Sequence, residues 1–386
     1  MTSSRIAVVG VELRHSSAWV DTAFRDVPSY LTELGFADPS VPVIDAEGAL
    51  DANLDLSTTV RTHTMAGDER RRPPSPSRHG VSAVGRLGRV VLIGFAGLGR
   101  MGRPMAAHLA ASGHTVLAYD PVPEIVPEGI TLVDSIEDLA VAPLSISMLP
   151  DGPSTHAVVV NGLRGVAVGH VHIVMGTIGP QAVRELADRT RAEVMDAPVS
   201  GSVSMAESAS ITTMVGSSAE QFERFRPVLA AMTAAQVHAG PVGSGSVAKL
   251  AVNAVLAGLS QAVAEGLVLA EAGNLDPEIF YDILRNSAAG APYVGYKQQA
   301  YLAPETTAVA ATVALIRKDL RLALDLAHRH DLDLPGSEAA FGVLEEAVGA
   351  GLGQADMAQV LTVVRGRSDV TARAALIGDQ QTGAHL

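Results

Sequence analysis

The chain contains no cysteine, which removes disulfides, thiolate catalysis and Cys-ligated metals together. Aromatic residues are scarce, 4% of 386 residues with a single tryptophan. Its cores must therefore be packed from Ala, Val, Leu and Gly in close contact, not around large rings. Basic residues are outnumbered, 28 Lys and Arg against 41 Asp and Glu, for a formal charge of −13. A nucleic-acid partner needs clustered cations that displace counterions, so none is expected. Long uninterrupted apolar runs are missing too. The opening MTSSRIAVVGVELRH has too short an apolar run for a signal peptide. The stretch from Val247 to Gly273 is broken by Lys249, Asn253, Gln261, Glu265 and Glu271, which argues against a membrane span. The expected location is the cytoplasm.

What the chain does have is globular composition, 47% hydrophobic and 18% charged, over a length that suggests two or three domains. A composition break falls at residues 62–88, where GDERRRPPSPSRHG is charged, rich in Pro and Ser and without apolar periodicity; this reads as a flexible linker. Before it, residues 1–61 open with a strand-like run, Arg5 to Val9, that ends in Gly10, and Val41–Asp45 is another candidate strand. Only one of the three glycines of a nucleotide-binding turn is present, so this segment reads as a partial Rossmann-like or poorly ordered appendage.

After the linker, Val90–Phe95 is a continuous apolar strand, followed by a glycine-rich turn and a helix over Arg103–Ser112. Further strands are expected at Thr115–Tyr119, Leu144–Leu149, Val171–Met175, Ala192–Met195 and Ile211–Val215. Strands alternating with helices predict an α/β Rossmann-type, doubly wound parallel sheet over residues 89–243. Beyond Gly243 the pattern is helical, over Ser244–Gly273, Pro277–Asn286, Ala308–His330 and Gly336–Ala350. Residues 244–370 are therefore expected to form an all-α domain for substrate binding and dimerisation, with a tail at 371–386.

The turn after the first strand is Gly97-Leu98-Gly99-Arg100-Met101-Gly102, a G-x-G-x-x-G set between strand and helix. Its first glycine permits the tight turn, its second lets backbone approach a pyrophosphate, and its third lets helix pack on strand. Asp120 ends the next strand, where a carboxylate can accept both ribose hydroxyls of NAD and repels a 2′-phosphate. No Lys or Arg follows it as far as Glu124, so NAD is favoured over NADP. The loop Asp196-Ala-Pro-Val-Ser200-Gly201-Ser202 could expose backbone N–H groups to a carboxylate, although by itself it also reads as an ordinary turn. Finally, Gly240-Pro-Val-Gly-Ser-Gly-Ser-Val-Ala-Lys249 leads into a helix on which Lys249 and Asn253 are spaced i, i+4 and share a face. A lysine among apolar neighbours loses hydration, which lowers its pKa towards that of a usable acid or base. A snorkelling surface lysine is the alternative on spacing alone. By the same standard Lys318-Asp319 reads as a solvated charge pair, and His108, His328 and His330 as packing or solvated residues. No cluster has metal-ligand spacing, and no metal is expected.

In order and spacing, GFAGLGRMGRPMAAHL, MLPDGPS, DAPVSGS, GPVGSGSVAKLAVN, KDLRLAL and GLGQADMA resemble the β-hydroxyacid dehydrogenase family, which includes 3-hydroxyisobutyrate, tartronate semialdehyde and 6-phosphogluconate dehydrogenases. The resemblance covers roughly Val90 to Ala358. It implies that Lys249 is the proton-transfer residue and that Asn253 orients the substrate hydroxyl. It places Ser200, Gly201 and Ser202 at the substrate carboxylate, and Asp319 as a support of the cleft. Leu149, Pro150, Thr177 and Lys318 fall on the nicotinamide side. It further implies a small hydroxy acid or semialdehyde as substrate and a homodimer or homotetramer. The sequence departs from the family pattern at Gly176, which replaces a serine, at Ser202 and Ala209, which replace glycines, at Val252, which replaces a second asparagine, and near Ala311, where an aromatic is common. Three other readings compete: a reductase of imines, against which Lys249 counts; a reductase of glyoxylate or succinic semialdehyde; and a non-catalytic nucleotide-binding scaffold, against which Lys249 and Asn253 count.

Overall fold

A computed structural model describes residues 90–368. The appendage at 1–61, the linker at 62–88 and the tail at 371–386 lie outside the described residues. The first element, β1 (Leu92–Ala96), is buried at four of its five positions. Such burial on both faces is what a continuous apolar run requires of a parallel strand. The chain continues through α1 (Gly102–Ala111), β2 (Thr115–Tyr119), β3 (Ile130–Leu132), β4 (Leu144–Ser147), α2 (Gly152–His156), β5 (Val171–Val174), α3 (Pro180–Arg189) and β6 (Glu193–Asp196). These six strands lie in the order β3-β2-β1-β4-β5-β6, and neighbours pair in parallel. Ile93, Phe95, Ile146 and Ile173 pack into a core on one face of the sheet. Val174, Val194, Leu139 and Val183 pack into another on the opposite face. The arrangement is the doubly wound one.

The far edge departs from an all-parallel sheet. After β6 come β7 (Val199–Ser200), α4 (Val203–Glu207), β8 (Thr212–Gly216), α5 (Ala219–Ala230) and β9 (Ala235–Gly240). β8 runs antiparallel to both β6 and β7, and β9 then pairs with β8 in parallel. Ala209, in the turn before β8, takes φ = 51°, a left-handed conformation in which a Cβ is unfavourable and glycine is usual.

One polar chain runs through the sheet interior. His170 Nδ1 lies 2.8 Å from the Ala142 carbonyl, which can only accept, so Nδ1 carries the proton and Nε2 must accept from Ser145 Oγ at 2.7 Å. The same reasoning makes His172 donate from Nδ1 to Ser145 Oγ, and Ser147 donate to His172 Nε2. Burial, reinforced by the nearby His170, pushes the His172 pKa down to about 3. The imidazole therefore stays neutral, as this donor pattern requires.

The helical half begins with α6 (Ser244–Ala272), followed by α7 (Pro277–Asn286), α8 (Pro292–Leu302), α9 (Val313–Arg329), α10 (Pro335–Gly349) and α11 (Val360–Ser368). The sequence pattern begins the fourth of these at Ala308. The helix in fact starts after Thr312, whose side chain accepts from Leu315 N–H. Residues before it are held in non-helical backbone, with Ala310 N–H donating to the Asp356 carboxylate at 3.0 Å. Asp356 also forms a buried ion pair with Lys297. The buried stripe of α6, including Leu250, Asn253, Ala257, Ser260, Ala264 and Leu267, recurs every three or four residues. Its apolar members join Leu320, Leu324, Leu344 and Leu361 in one core. Among the described helices, α6 alone is long and apolar enough to cross a membrane by length and composition, with 39% of its most apolar window buried inside the chain. Here that stripe forms a core contact with the neighbouring helices.

α6 is fixed to the sheet at its first turn. The N-cap, Gly243, sits at φ = 93° and offers no capping side chain. The wholly buried Asp196, at the end of β6, supplies the cap instead. Its carboxylate accepts from Gly243 N–H at 2.7 Å and Ser246 N–H at 2.6 Å, which are donors a helix start otherwise leaves unsatisfied. Burial pushes the Asp196 pKa up, and these two bonds oppose the shift. The approach is close: a Cβ at Gly245 would stand 2.3 Å from the Met214 carbonyl, and one at Gly216 would stand 2.1 Å from Asp196 Oδ1. Removing the carboxylate in Asp196→Ala should destabilise the chain by about 3 kcal/mol, measurable as a lower denaturant midpoint.

Candidate active site

The expected nucleotide turn lies at the carboxyl end of β1, beside β4, where the strand order reverses and open α/β sheets place their ligands. Gly97 has φ = 99°, and a Cβ there would stand 2.5 Å from the Met148 carbonyl. A Cβ on Gly102 would stand 2.0 Å from the Gly97 carbonyl, so helix and turn are in direct contact. At Gly99 a Cβ would meet nothing within 4 Å. The first and third glycines therefore serve packing, while the second opens onto free space, as a pyrophosphate cradle requires. Asp120 directly follows β2, is half-buried, and accepts from Leu98 N–H at 2.7 Å and Val122 N–H at 2.9 Å. Its carboxylate is thus anchored beside the turn. Met101 precedes α1, and the Arg100 guanidinium reaches the Val309 carbonyl at 2.6 Å, tying the turn to the segment before α9. A dinucleotide fits this set of residues.

The loops after β4 and β5 share that edge of the sheet. Ser147 pairs with both Ala96 and Val174 in the strand register, so Leu149, Pro150, Gly176 and Thr177 follow at neighbouring strand ends. A Cβ at Gly176 would stand 2.3 Å from the Leu149 carbonyl. The missing serine is therefore a packing requirement as well as a lost hydroxyl, because the two loops touch where its side chain would be. Asp151 caps α2, and the hydrogen bonds from Ser154, assisted by the charge of Lys318, hold its pKa below the usual carboxylate range.

α6 carries the remaining groups. Lys249 is the sixth residue of α6, is partly buried, and makes no hydrogen bond or ion pair among the described residues. Burial pushes its pKa down. Asp319 raises it and Lys318 lowers it further. Asn253 is 2% exposed. Its Nδ2 donates to Asp319 Oδ2 at 2.7 Å, while its Oδ1 has no partner. Lys318 Nζ lies 2.7 Å from Asp319 Oδ1, an ion pair whose angle falls short of a hydrogen bond, and donates to the Thr177 carbonyl at 2.8 Å. The pair that spacing alone reads as solvated is nothing of the kind. Asp319 is 4% exposed, and Lys318 links the loop after β5 to α9.

Ser200 ends β7, and Gly201 has φ = 145°, with a Cβ there only 2.7 Å from Ile211 Cγ2. The Ser202 hydroxyl, expected beside a substrate carboxylate, is engaged elsewhere. It accepts from Met205 N–H at 3.3 Å as the cap of α4 and pairs with Ser204 Oγ at 2.8 Å. His108 also does more than pack: its Nε2 lies 3.1 Å and 2.9 Å from the Ala206 and Glu207 carbonyls and tethers α1 to the end of α4. No local sequence signal reveals the His108 contact, whose partners lie 98 and 99 residues away. The capping role of Asp196 is equally hidden, because its partners lie 47 and 50 residues away.

A dinucleotide cradle facing a helix that carries a desolvated lysine defines a nicotinamide-dependent oxidoreductase. Comparison with known proteins agrees. Residues 92–240 match the NAD-binding domain of 6-phosphogluconate dehydrogenase. Residues 243–364 match the domain described as NAD-binding of NADP-dependent 3-hydroxyisobutyrate dehydrogenase. The 2-(hydroxymethyl)glutarate dehydrogenase of Eubacterium barkeri is 32% identical over 286 residues, covering 71% of this chain and 94% of that protein. The 3-hydroxyisobutyrate dehydrogenase of Pseudomonas aeruginosa is 36% identical over 252 residues, covering 60% and 84%. A solved structure, the Mycobacterium tuberculosis 3-hydroxyisobutyrate dehydrogenase with L-serine, aligns with a TM-score of 0.65 at 29% identity, covering 72% of this chain and all of that one. The chain belongs to the β-hydroxyacid dehydrogenase family of NAD(P)-dependent oxidoreductases.

Restoring the hydroxyl in Gly176→Ser should destabilise the chain by about 1–3 kcal/mol through overpacking against the Leu149 carbonyl. It should also weaken dinucleotide binding, seen as a smaller rise in melting temperature when NAD is added.

Proposed function

We propose that this chain oxidises the hydroxyl of a small β-hydroxy acid with NAD, or reduces the corresponding semialdehyde, with Lys249 moving the proton. The observation that carries this reading is Lys249 itself: a desolvated lysine without an ion pair, one turn from a buried amide whose oxygen lacks a partner. The related proteins act, by their names, on 2-(hydroxymethyl)glutarate and 3-hydroxyisobutyrate, both hydroxy acids.

Each role follows from chemistry available at the site. Backbone N–H groups at Gly201 and Ser202, with Ser200, hold the substrate carboxylate. The Ser202 side chain is occupied by its cap and shapes the loop. Asn253 orients the reacting hydroxyl, and neutral Lys249 accepts its proton; in the reverse direction the ammonium returns it. When bound, the nicotinamide supplies the acceptor for the hydride that leaves the hydroxyl-bearing carbon. Gly97 to Gly102 hold the pyrophosphate, with Leu149, Pro150, Thr177 and Lys318 on the nicotinamide side. Asp120 receives the ribose hydroxyls, and its negative charge favours NAD over NADP.

We further infer a homodimer built on α6. The face opposite its buried stripe leaves Val255 72% and Leu269 76% exposed, and Ile279 and Ile283 on α7 are more than half exposed. Exposed apolar side chains grouped in this way mark association surfaces. Light scattering should give a dimer or a multiple of one, and Val255→Glu should shift it towards monomer.

The central test is NADH formation by the full chain over a panel of β-hydroxy acids. Oxidation needs neutral Lys249, so kcat/KM should rise with pH through the lysine pKa, which burial places below its ordinary value. Lys249→Met should lose about 10²–10⁴-fold in turnover and retain NAD binding. Unchanged turnover in that variant would refute the assignment.

A further inference from the structure

We propose that His108 is a positioning residue for the substrate: by binding the end of α4 it holds the loop Ser200–Ser202 in register with the dinucleotide helix, and so sets the affinity for the acid without touching it. The inference deepens the reading above and rests on its assignment of that loop to the substrate carboxylate.

His108 stands on α1, partly buried and six residues after Gly102, the glycine that brings this helix against the nucleotide turn. Its ring crosses to α4, where Nε2 lies 3.1 Å from the Ala206 carbonyl and 2.9 Å from the Glu207 carbonyl. A carbonyl only accepts, so Nε2 carries a proton and donates to the pair. Ala206 passes the tie on, because its N–H donates to the Ser202 carbonyl at 3.0 Å. Two hydrogen bonds in series therefore lead from the dinucleotide helix to the loop that receives the carboxylate. Ser202 closes the same turn from the other side, its hydroxyl accepting from Met205 N–H.

Left to itself, α4 would not keep this geometry. It is five residues long, too short for a helix to be stable alone. The turn behind it passes through Ala209 at φ = 51°, where a Cβ is unfavourable. The hydroxyls of Ser208 and Ser210 bond each other and the Ser204 and Met205 carbonyls, which closes the segment on itself. Ala206 and Ile211 do join Met105, Ala106 and Leu109 in one core. Apolar contact of that kind is non-directional: it keeps α4 against α1 but leaves its slide and rotation open. The His108 bonds are directional and fix both. Their loss should act on binding of the acid, with dinucleotide affinity and proton transfer left in place.

The test compares the full chain with His108→Leu and with His108→Gln, whose amide nitrogen is as many bonds from Cα as Nε2 is. His108→Leu should raise KM for the β-hydroxy acid about tenfold, with kcat and the Kd for NAD within about twofold of the unsubstituted chain. His108→Gln should bring KM back to within about threefold. An unchanged KM in His108→Leu overturns the proposal. So does a loss of NAD affinity that matches the rise in KM, or a glutamine variant no better than the leucine one. An independent readout needs no substrate: amide hydrogen exchange over residues 203–208 should quicken about tenfold in His108→Leu and slow again in His108→Gln. Exchange that does not move overturns the proposal as well. A wild-type chain that oxidised none of the hydroxy acids would remove the reading of the reaction, while the exchange rates would still decide the tether.

Discussion

The Asp196 carboxylate is buried at the end of a sheet strand and bonded to the first turn of a helix that begins 48 residues later. The helix start has a glycine at its cap, so the chain itself provides no local acceptor there. One side chain from the sheet therefore sets where the 29-residue α6 begins and how its faces are turned. Gly216 and Gly245 make the approach possible, since either with a Cβ would collide with this junction. The position of Lys249 and Asn253 relative to the strand ends follows from that contact. Two further ties, Arg100 to Val309 and Lys318 to Thr177, hold the helical half against the nucleotide-binding half.

The same junction sets the electrostatics. Lys249 lies far enough into the helix to be desolvated, yet it shares Asp319 with the closer Lys318. Burial and the second lysine favour the neutral amine, and the aspartate favours the ammonium. The net direction is downward, because burial outweighs the pull of the aspartate. Asp319 also engages Asn253, so charge and orientation are supplied by one residue.

Much of this was legible in the sequence because it is local. A strand, three glycines at fixed offsets and a helix announce the nucleotide turn, and Asp120 follows at the next strand end. The i, i+4 spacing of Lys249 and Asn253 is readable directly. What stayed hidden depends on contacts far along the chain. Lys318-Asp319 is indistinguishable from a surface pair until α9 is laid against α6, which brings Asp319 to an asparagine 66 residues away. Gly176 reads as a missing hydroxyl until its loop meets Leu149. The residues before Thr312 are drawn out of the helical pattern by Asp356. Such contacts are tertiary, and no period or motif records them.

The proposed reaction turns on direct hydride transfer from the hydroxyl-bearing carbon of a β-hydroxy acid to a dinucleotide held at Gly97–Gly102. The most direct measurement supplies a β-hydroxy acid deuterated at that carbon and examines the reduced cofactor by mass spectrometry. Direct transfer places one deuterium on the nicotinamide ring for each acid oxidised. Reduced cofactor free of deuterium, or oxidation with no reduced cofactor formed, would contradict it.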